Sequence, residues 1–275
     1  MFILSAFGDE IAPELNEQLD LLESEGIKYL DLRGVWGKNV KLLNDEDCEK
    51  IKKILDTRGF KLSTIGSPVG KIKITDDFEP EIKVLERMIH LAKFFGTKYI
   101  RVFSFYVPKT EAPDNYREEV MRRMKVMAAL AEKHGVMLEL ENEGELYGEK
   151  PLYVMDVVKT VNSPNLKVLF DAANYVIAGV KPHTGAFPIV KDQLDMFHIK
   201  DATKTEPWII NLAGEGQGQI PDTLAVYKNA KRDYFLVLEP HLGKAEKMSG
   251  FSGPEKFRLA IKALKNILDN MGAKY

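Results

Sequence analysis

The 275-residue sequence predicts an α/β chain folded as a single (β/α)8 barrel spanning residues 1–275. Three observations lead there. A phrase in which a glycine closes an amphipathic segment, with a short apolar segment after it, recurs as EGIKYLDL, RGFKLSTI, FGTKYIRV and HGVMLELE. Eight apolar segments of strand length alternate with helical segments, as in βαβ units feeding a parallel sheet. No G-x-G-x-x-G follows the first strand, where an open dinucleotide-binding sheet would carry one; the chain continues GDEIAPE. Eight units also suit the ~250 residues typical of a closed barrel.

The elements follow in order. FILSAF (2–7) is the first strand, and Leu15, Leu19 and Leu22 form the apolar stripe of the first helix. Gly26 closes it, and Gly59, Gly96 and Gly135 close the next three helices at spacings of 33, 37 and 39 residues. Glycine suits a helix end because the left-handed conformation common there costs it little. KYLDLR, KLSTIG, KYIRVF and VMLELE are the strands after those glycines; the third and fourth helices carry the stripes Ile82, Leu85, Ile89 and Val120, Met124, Met127. LKVLFD (166–171), LDMFHI (194–199) and YFLVLE (234–239) complete the eight. A last helix, about Pro254 to Met271, should pack beside the first. No linker or low-complexity stretch divides the chain.

Composition narrows the function classes. Hydrophobic residues make up 45% and charged residues 29%, ample for a core. A net charge of -2 and pI near 6.3 argue against a dedicated nucleic-acid binder. A lone cysteine, Cys48, supports neither a disulfide framework nor a thiolate metal site and points to a reducing compartment. The start MFILSAFGDE lacks the basic region of a secretory signal, and no apolar run approaches the ~20 residues of a membrane span, so the expected location is the cytoplasm.

In a barrel, chemistry gathers where strands end at the C-terminal face. Asp31 and Arg33 lie at the end of the second strand, Glu139, Glu141 and Glu143 alternate along the fifth, and Asp171 closes the sixth. His198 and Lys200 lie at the seventh, Glu239 and His241 at the eighth. Buried carboxylates are costly unless paired or bound to metal. Glu141, Asp171, His198 and Glu239 offer three carboxylates and an imidazole, a set suited to Mn²⁺, Mg²⁺ or Co²⁺, with Zn²⁺ also possible.

LELEN, LFDAAN, FHIKDA, GEGQG and LVLEP, together with the N-terminal GDEIAPELNEQLDLLESEGIKYLDLR and GSPVGKI, resemble the xylose isomerase-like TIM barrels, specifically the sugar phosphate isomerase/epimerase group. The resemblance runs over nearly the whole chain. It implies that Glu141, Asp171, His198 and Glu239 are metal ligands, and that Glu141 and Glu239 serve as acid and base on opposite faces of a bound sugar. The implied activity is a divalent-metal-dependent sugar isomerase or epimerase that abstracts a proton next to a carbonyl through a metal-stabilised enediolate. The implied partner is a small sugar or sugar-derived molecule, with no nucleic acid or membrane, and a homodimer or homotetramer as the assembly. A metal-dependent lyase or dehydratase on a keto-sugar is the alternative. The family's DNA-repair endonuclease branch is opposed by the five histidines and the acidic pI. The family often places a histidine soon after the aspartate; here the residue is Asn174.

Other residues carry paired expectations. Glu139 should form an ion pair with Arg101, and Glu143 either supports a ligand from behind or is solvated. Lys200 binds a substrate oxygen or pairs with Glu239 or Asp171. Asp201 should orient a ligand. Arg33 and His241 are candidates for substrate contact. Ser67, Gly70 and Lys71 in GSPVGKI form an anion site or a rigid turn. Trp36 and Trp208 are sugar-facing walls or edge packing. His134 at a helix end and His90 within a helix read as structural, and His183 as loop surface.

Overall fold

The structure, a computed structural model, describes residues 1–243 and 251–275. Eight parallel strands close into a barrel: β1 (Phe2–Phe7), β2 (Tyr29–Leu32), β3 (Lys61–Ile65), β4 (Tyr99–Val102), β5 (Met137–Glu141), β6 (Leu166–Asp171), β7 (Leu194–Ile199) and β8 (Tyr234–Leu238). Strands adjacent in sequence are adjacent in the barrel, and β8 pairs back onto β1 over Phe2–Ala6. Around them lie α1 (Leu15–Ser24), α2 (Asp45–Arg58), α3 (Glu79–Phe95), α4 (Arg117–His134), α5 (Pro151–Val161), α6 (Ala172–Ile177), α7 (Phe187–Val190), α8 (Ile220–Tyr227) and α9 (Pro254–Asn270).

The recurring glycines behave as their pattern predicts. Gly26, Gly59, Gly96 and Gly135 have φ of 72°, 67°, 78° and 69°, the left-handed turn that ends each helix before the next strand. The stripes Leu19, Leu22, Leu85, Val120, Met124 and Met127 are fully buried in the layer between helices and barrel. Each such side chain stabilises by roughly 1.5–3 kcal/mol through burial. As expected, α9 lies beside α1: Arg258 Nη1 donates to Glu25 Oε1 at 2.6 Å and Lys265 Nζ to the Glu25 carbonyl at 2.8 Å.

A separate cluster fills the barrel interior. Phe7, Leu169, Met196 and Val237, from four different strands, are all buried and pack together. Along a strand every second residue faces the same way. The residues two positions beyond Leu169, Met196 and Val237 are Asp171, His198 and Glu239, so this plug supports the residues of the mouth. A register shift between Val168 and Leu169 then sets Asp171 level with His198 across the β6–β7 pair.

Two short antiparallel pairs, Gly34–Val35 with Lys38–Asn39 and Asp201–Thr203 with Ile209–Asn211, sit after β2 and β7 and were not expected from the strand pattern. Among the described residues, no helix is long and apolar enough to cross a membrane.

Candidate active site

The four expected ligands converge. One donor atom from each of Glu141, Asp171, His198 and Glu239 lies within 4.8 Å of every other, and all four residues are buried. His198 Nδ1 is 3.1 Å from both Glu141 Oε1 and Glu239 Oε2. Lys200 Nζ is 2.8 Å from Asp171 Oδ2.

The remaining oxygen of each carboxylate is occupied. Glu141 Oε2 accepts from Arg101 Nη1 at 3.1 Å, Glu239 Oε1 from Arg33 Nη1 at 2.9 Å, and Asp171 Oδ1 from the backbone N–H of Asn174 at 2.8 Å. Each carboxylate therefore presents one oxygen to the centre and is held by the other. Asn142 of the LEN motif ties β5 to β6: its Oδ1 accepts from Asp171 N at 2.9 Å and its Nδ2 donates to Asp171 O at 3.0 Å. Asn174, standing where the family often has histidine, donates to the Asn142 carbonyl at 2.9 Å and reaches Glu141 Oε1 at 3.4 Å.

The charges follow this geometry. Burial raises the Glu141 carboxyl, but His198 and Arg101 outweigh it and hold it at about 2. Glu239 is likewise held well below the usual carboxylate range, burial being outweighed by Lys200, His198 and His241. For Asp171 burial prevails over Lys200 and lifts it to about 6. Burial would lower His198, yet Glu141 and Glu239 raise it to about 10. A field that favours a proton on this imidazole favours a cation at the centre. The donor set fits a divalent ion, with three hard carboxylate oxygens and one nitrogen in a water-poor setting.

Residues outside the predicted set complete the site. Asp9 and Glu10 form the short turn after β1. Asp9 Oδ2 accepts from Arg33 Nε at 2.8 Å. Glu10, fully buried, accepts from His241 N at 2.9 Å and Ser252 Oγ at 2.8 Å, and its carbonyl takes the N–H of Gly253 at 2.8 Å. Phe7 is a platform: the guanidinium carbons of Arg33 and Arg101 lie 4.4 and 4.9 Å from its ring centroid, and the His198 ring meets it edge-on at 5.1 Å. The acids of GDE were visible as a charged turn directly after a strand; Phe7 carried no signal beyond being apolar. A second grouping, Glu10, Glu239 and His241, already has Arg33 on it, at 2.9 Å from Glu239 and 3.9 Å from Glu10.

Several expectations need correction. Arg101 does not pair with Glu139. Their backbones are in register, but the long arginine leans along its strand and reaches Glu141. Glu139 is fully buried, no cation among the described residues stands within ion-pair distance of it, and burial together with the neighbouring Asp195 carboxyl raises its own carboxyl well above the usual range. Asp201 does not orient a ligand. Its carboxylate accepts the N–H groups of Ala202, Gly214, Gly216 and Gly218 at 2.8, 2.9, 3.1 and 2.7 Å and so holds the GEGQG loop. GSPVGKI is a rigid turn. The N–H groups of Val69, Gly70 and Lys71 are taken by Ser67 Oγ, Glu81 Oε1 and the Pro68 carbonyl, which leaves no amide nest for an anion. At Gly70, φ is 91° and a Cβ would stand 2.0 Å from the Phe103 carbonyl oxygen.

The other candidates are distributed around the mouth. Lys71 and Glu143, considered separately, pair with each other at 2.8 Å, both partly exposed. His241 Nε2 lies 3.2 Å from Glu10 Oε1 and 3.4 Å from Glu239 Oε1, with the side chain 26% exposed. Trp36 packs against the core. Trp208 is exposed, and its side chain makes no hydrogen bond or ring contact among the described residues. His134 closes α4 beside Lys93, as expected of a helix-end residue. His90 is exposed and stacks on Phe94; His183 is not loop surface but stacks on Phe187.

A closed barrel with converging carboxylates and one imidazole at its C-terminal mouth has the architecture of a metal-assisted barrel enzyme. Residues 19–267 match the family described as Xylose isomerase-like TIM barrel, and the chain belongs to this family. A 3-dehydroshikimate dehydratase of Bacillus anthracis is 22% identical over 181 residues, covering 66% of this chain and 64% of that protein, so the chain spans less than two thirds of that relative's length. The structure of the probable 3-DHS dehydratase AsbF from Bacillus anthracis superimposes with a TM-score of 0.78 at 18% identity, covering 96% of this chain and 99% of that one. A D-tagatose 3-epimerase-like protein gives 0.76 at 14% identity, covering 98% of each chain. At such identities these structures establish the common fold.

Proposed function

We propose that this protein is a divalent-metal-dependent isomerase or epimerase acting on a small keto-sugar or sugar-derived substrate. One observation carries the reading: four buried ligands converge with each carboxylate's second oxygen already held. A divalent ion held by Glu141, Asp171, His198 and Glu239 (Mn²⁺, Mg²⁺ or Co²⁺, with Zn²⁺ possible) supplies Lewis-acid polarisation of a substrate carbonyl. Glu141 comes from β5 and Glu239 directly follows β8; we assign one to removing the proton beside that carbonyl and the other to returning a proton to the opposite face. Arg33 and Arg101 keep these carboxylates aimed inward. Lys200 and His241 contact substrate oxygens at the inner mouth, Lys71 with its partner Glu143 lines the rim, and Trp208 offers an outer aromatic wall. The assembly we expect is a homodimer or homotetramer.

A second reading has its own support. The relatives named 3-dehydroshikimate dehydratase favour elimination of water next to a carbonyl, which begins with the same proton abstraction. Screening keto-sugars and cyclic keto-acids in D₂O with added Mn²⁺ tests both. Deuterium at the carbon beside the carbonyl is expected, and the products separate epimerisation from dehydration. Glu141→Gln and Glu239→Gln should each lower kcat by about 10²–10⁴-fold with little change in substrate affinity. Near wild-type turnover in either variant with metal bound would remove the acid–base assignment.

A further inference from the structure

Lys200 reaches two of the four residues proposed above to hold a divalent ion. Its ammonium is 2.8 Å from Asp171 Oδ2 and 3.4 Å from Glu239 Oε2, and the side chain is 5% exposed. Glu239 Oε2 is also the oxygen that faces His198 Nδ1, at 3.1 Å, so both of the lysine's contacts are centre-facing oxygens of proposed ligands. Arg101 and Arg33 are placed differently. They hold the outer oxygens of Glu141 and Glu239, and each has a further anchor: Arg101 on the Ser67 carbonyl at 3.3 Å, Arg33 on Asp9 at 2.8 Å. An ammonium and a divalent ion drawn to the same two oxygens repel strongly in a site that excludes water.

We propose that Lys200 is the resident cation of this centre and sets its metal affinity, because a divalent ion binds there by driving the ammonium off Asp171 and Glu239. The chain provides a destination. Glu143, partly exposed at the rim and paired with Lys71 at 2.8 Å, is a further carboxylate that attracts Lys200 and can be shared between the two lysines. Lysine's flexible stem and three rotatable donors permit the swing without backbone movement. The displaced ammonium then points into the space where substrate oxygens enter. Metal binding and presentation of Lys200 to substrate thus become one event, and metal binds before substrate.

The inference rests on the metal-centre reading above, and its test needs no substrate. Mn²⁺ affinity is measured by titration calorimetry on the wild type and on Lys200→Met, Lys200→Gln and Lys200→Arg, with thermal unfolding recorded with and without Mn²⁺. The two neutral variants should bind Mn²⁺ at least about tenfold tighter than wild type, unfold at a lower temperature without the ion, and gain more from its addition. Lys200→Arg, which keeps the charge, should bind within about threefold of wild type. If Lys200→Met does not fold, Lys200→Gln carries the comparison. Equal or weaker binding in folded neutral variants overturns the proposal and leaves the metal centre standing. Absence of Mn²⁺ uptake by the wild type overturns both.

Discussion

Asp31 offers a direct test of how the barrel interior treats charge. It lies on β2 in register with Phe7 and Thr64, is 1% exposed, and neither carboxyl oxygen has a hydrogen-bond partner among the described residues. Burial pushes its carboxyl from the ordinary 3.8 up to about 7, against the pull of Arg101 and His198. The sign follows from proton counting. Between 3.8 and about 7 the native protein keeps a proton that the unfolded chain has released, so this residue's contribution to stability falls as pH rises through that window. The full loss is about 4 kcal/mol, of which about 3 kcal/mol falls between pH 5 and pH 8. Asp31→Asn keeps the shape and removes the titration. Urea unfolding of chelator-treated wild type and variant at the two pH values gives the comparison. The variant should gain about 3 kcal/mol on the wild type between pH 5 and pH 8. Parallel stability profiles would refute the reasoning, because they would mean that Asp31 is ionised or solvated throughout.

Two further outcomes follow from residues whose roles the structure revised. Asp201→Asn removes the acceptor oxygen that serves Gly214 and Gly216, and should cost about 3 kcal/mol at roughly 1.5 kcal/mol per charge-assisted hydrogen bond; faster exchange of those two amides, read by hydrogen–deuterium exchange, locates the effect. Glu139→Gln replaces a buried carboxyl held well above the usual range with an amide of the same shape and should change stability by less than about 1 kcal/mol in urea unfolding, whereas removal of one partner of a buried ion pair costs about 3–5 kcal/mol.

The sequence made the barrel legible because its signals were local and repeated. A glycine after each of the first four helices, a period of two in the strands and a period near 3.6 in the helices all required the same architecture, and Gly26, Gly59, Gly96 and Gly135 adopt the expected turn. The convergence of Glu141, Asp171, His198 and Glu239 was also legible, since four chemically suitable residues lay at the ends of four consecutive strands. What was hidden depended on reach and competition. Arg101 has Glu139 beside it in register and Glu141 within range of its side chain; only packing decides between them. Asp201 looked like support for a ligand because it follows His198 closely, but three N–H groups from a loop 13 to 17 residues away, with that of the adjacent Ala202, take its carboxylate. Asp9 and Glu10 act on residues more than two hundred positions distant or across strands, contacts that no local pattern encodes.

Glu10 gives the site a history within each molecule. Its bonds to His241 and Ser252 span 231 and 242 residues, and the Arg33–Glu239 bond spans 206. Three of the four converging ligands are present once β7 has been made, but Glu239 comes from the end of β8, the strand that joins β1. Synthesis proceeds from the N-terminus, so the first strand's turn waits for the last strand before either has its partner. Such long-range closure is among the slower events of folding. Assembly of the ligand cluster is therefore a late checkpoint: a chain interrupted before β8 carries Glu141, Asp171 and His198 but lacks both the fourth ligand and the seam that Glu10 fastens.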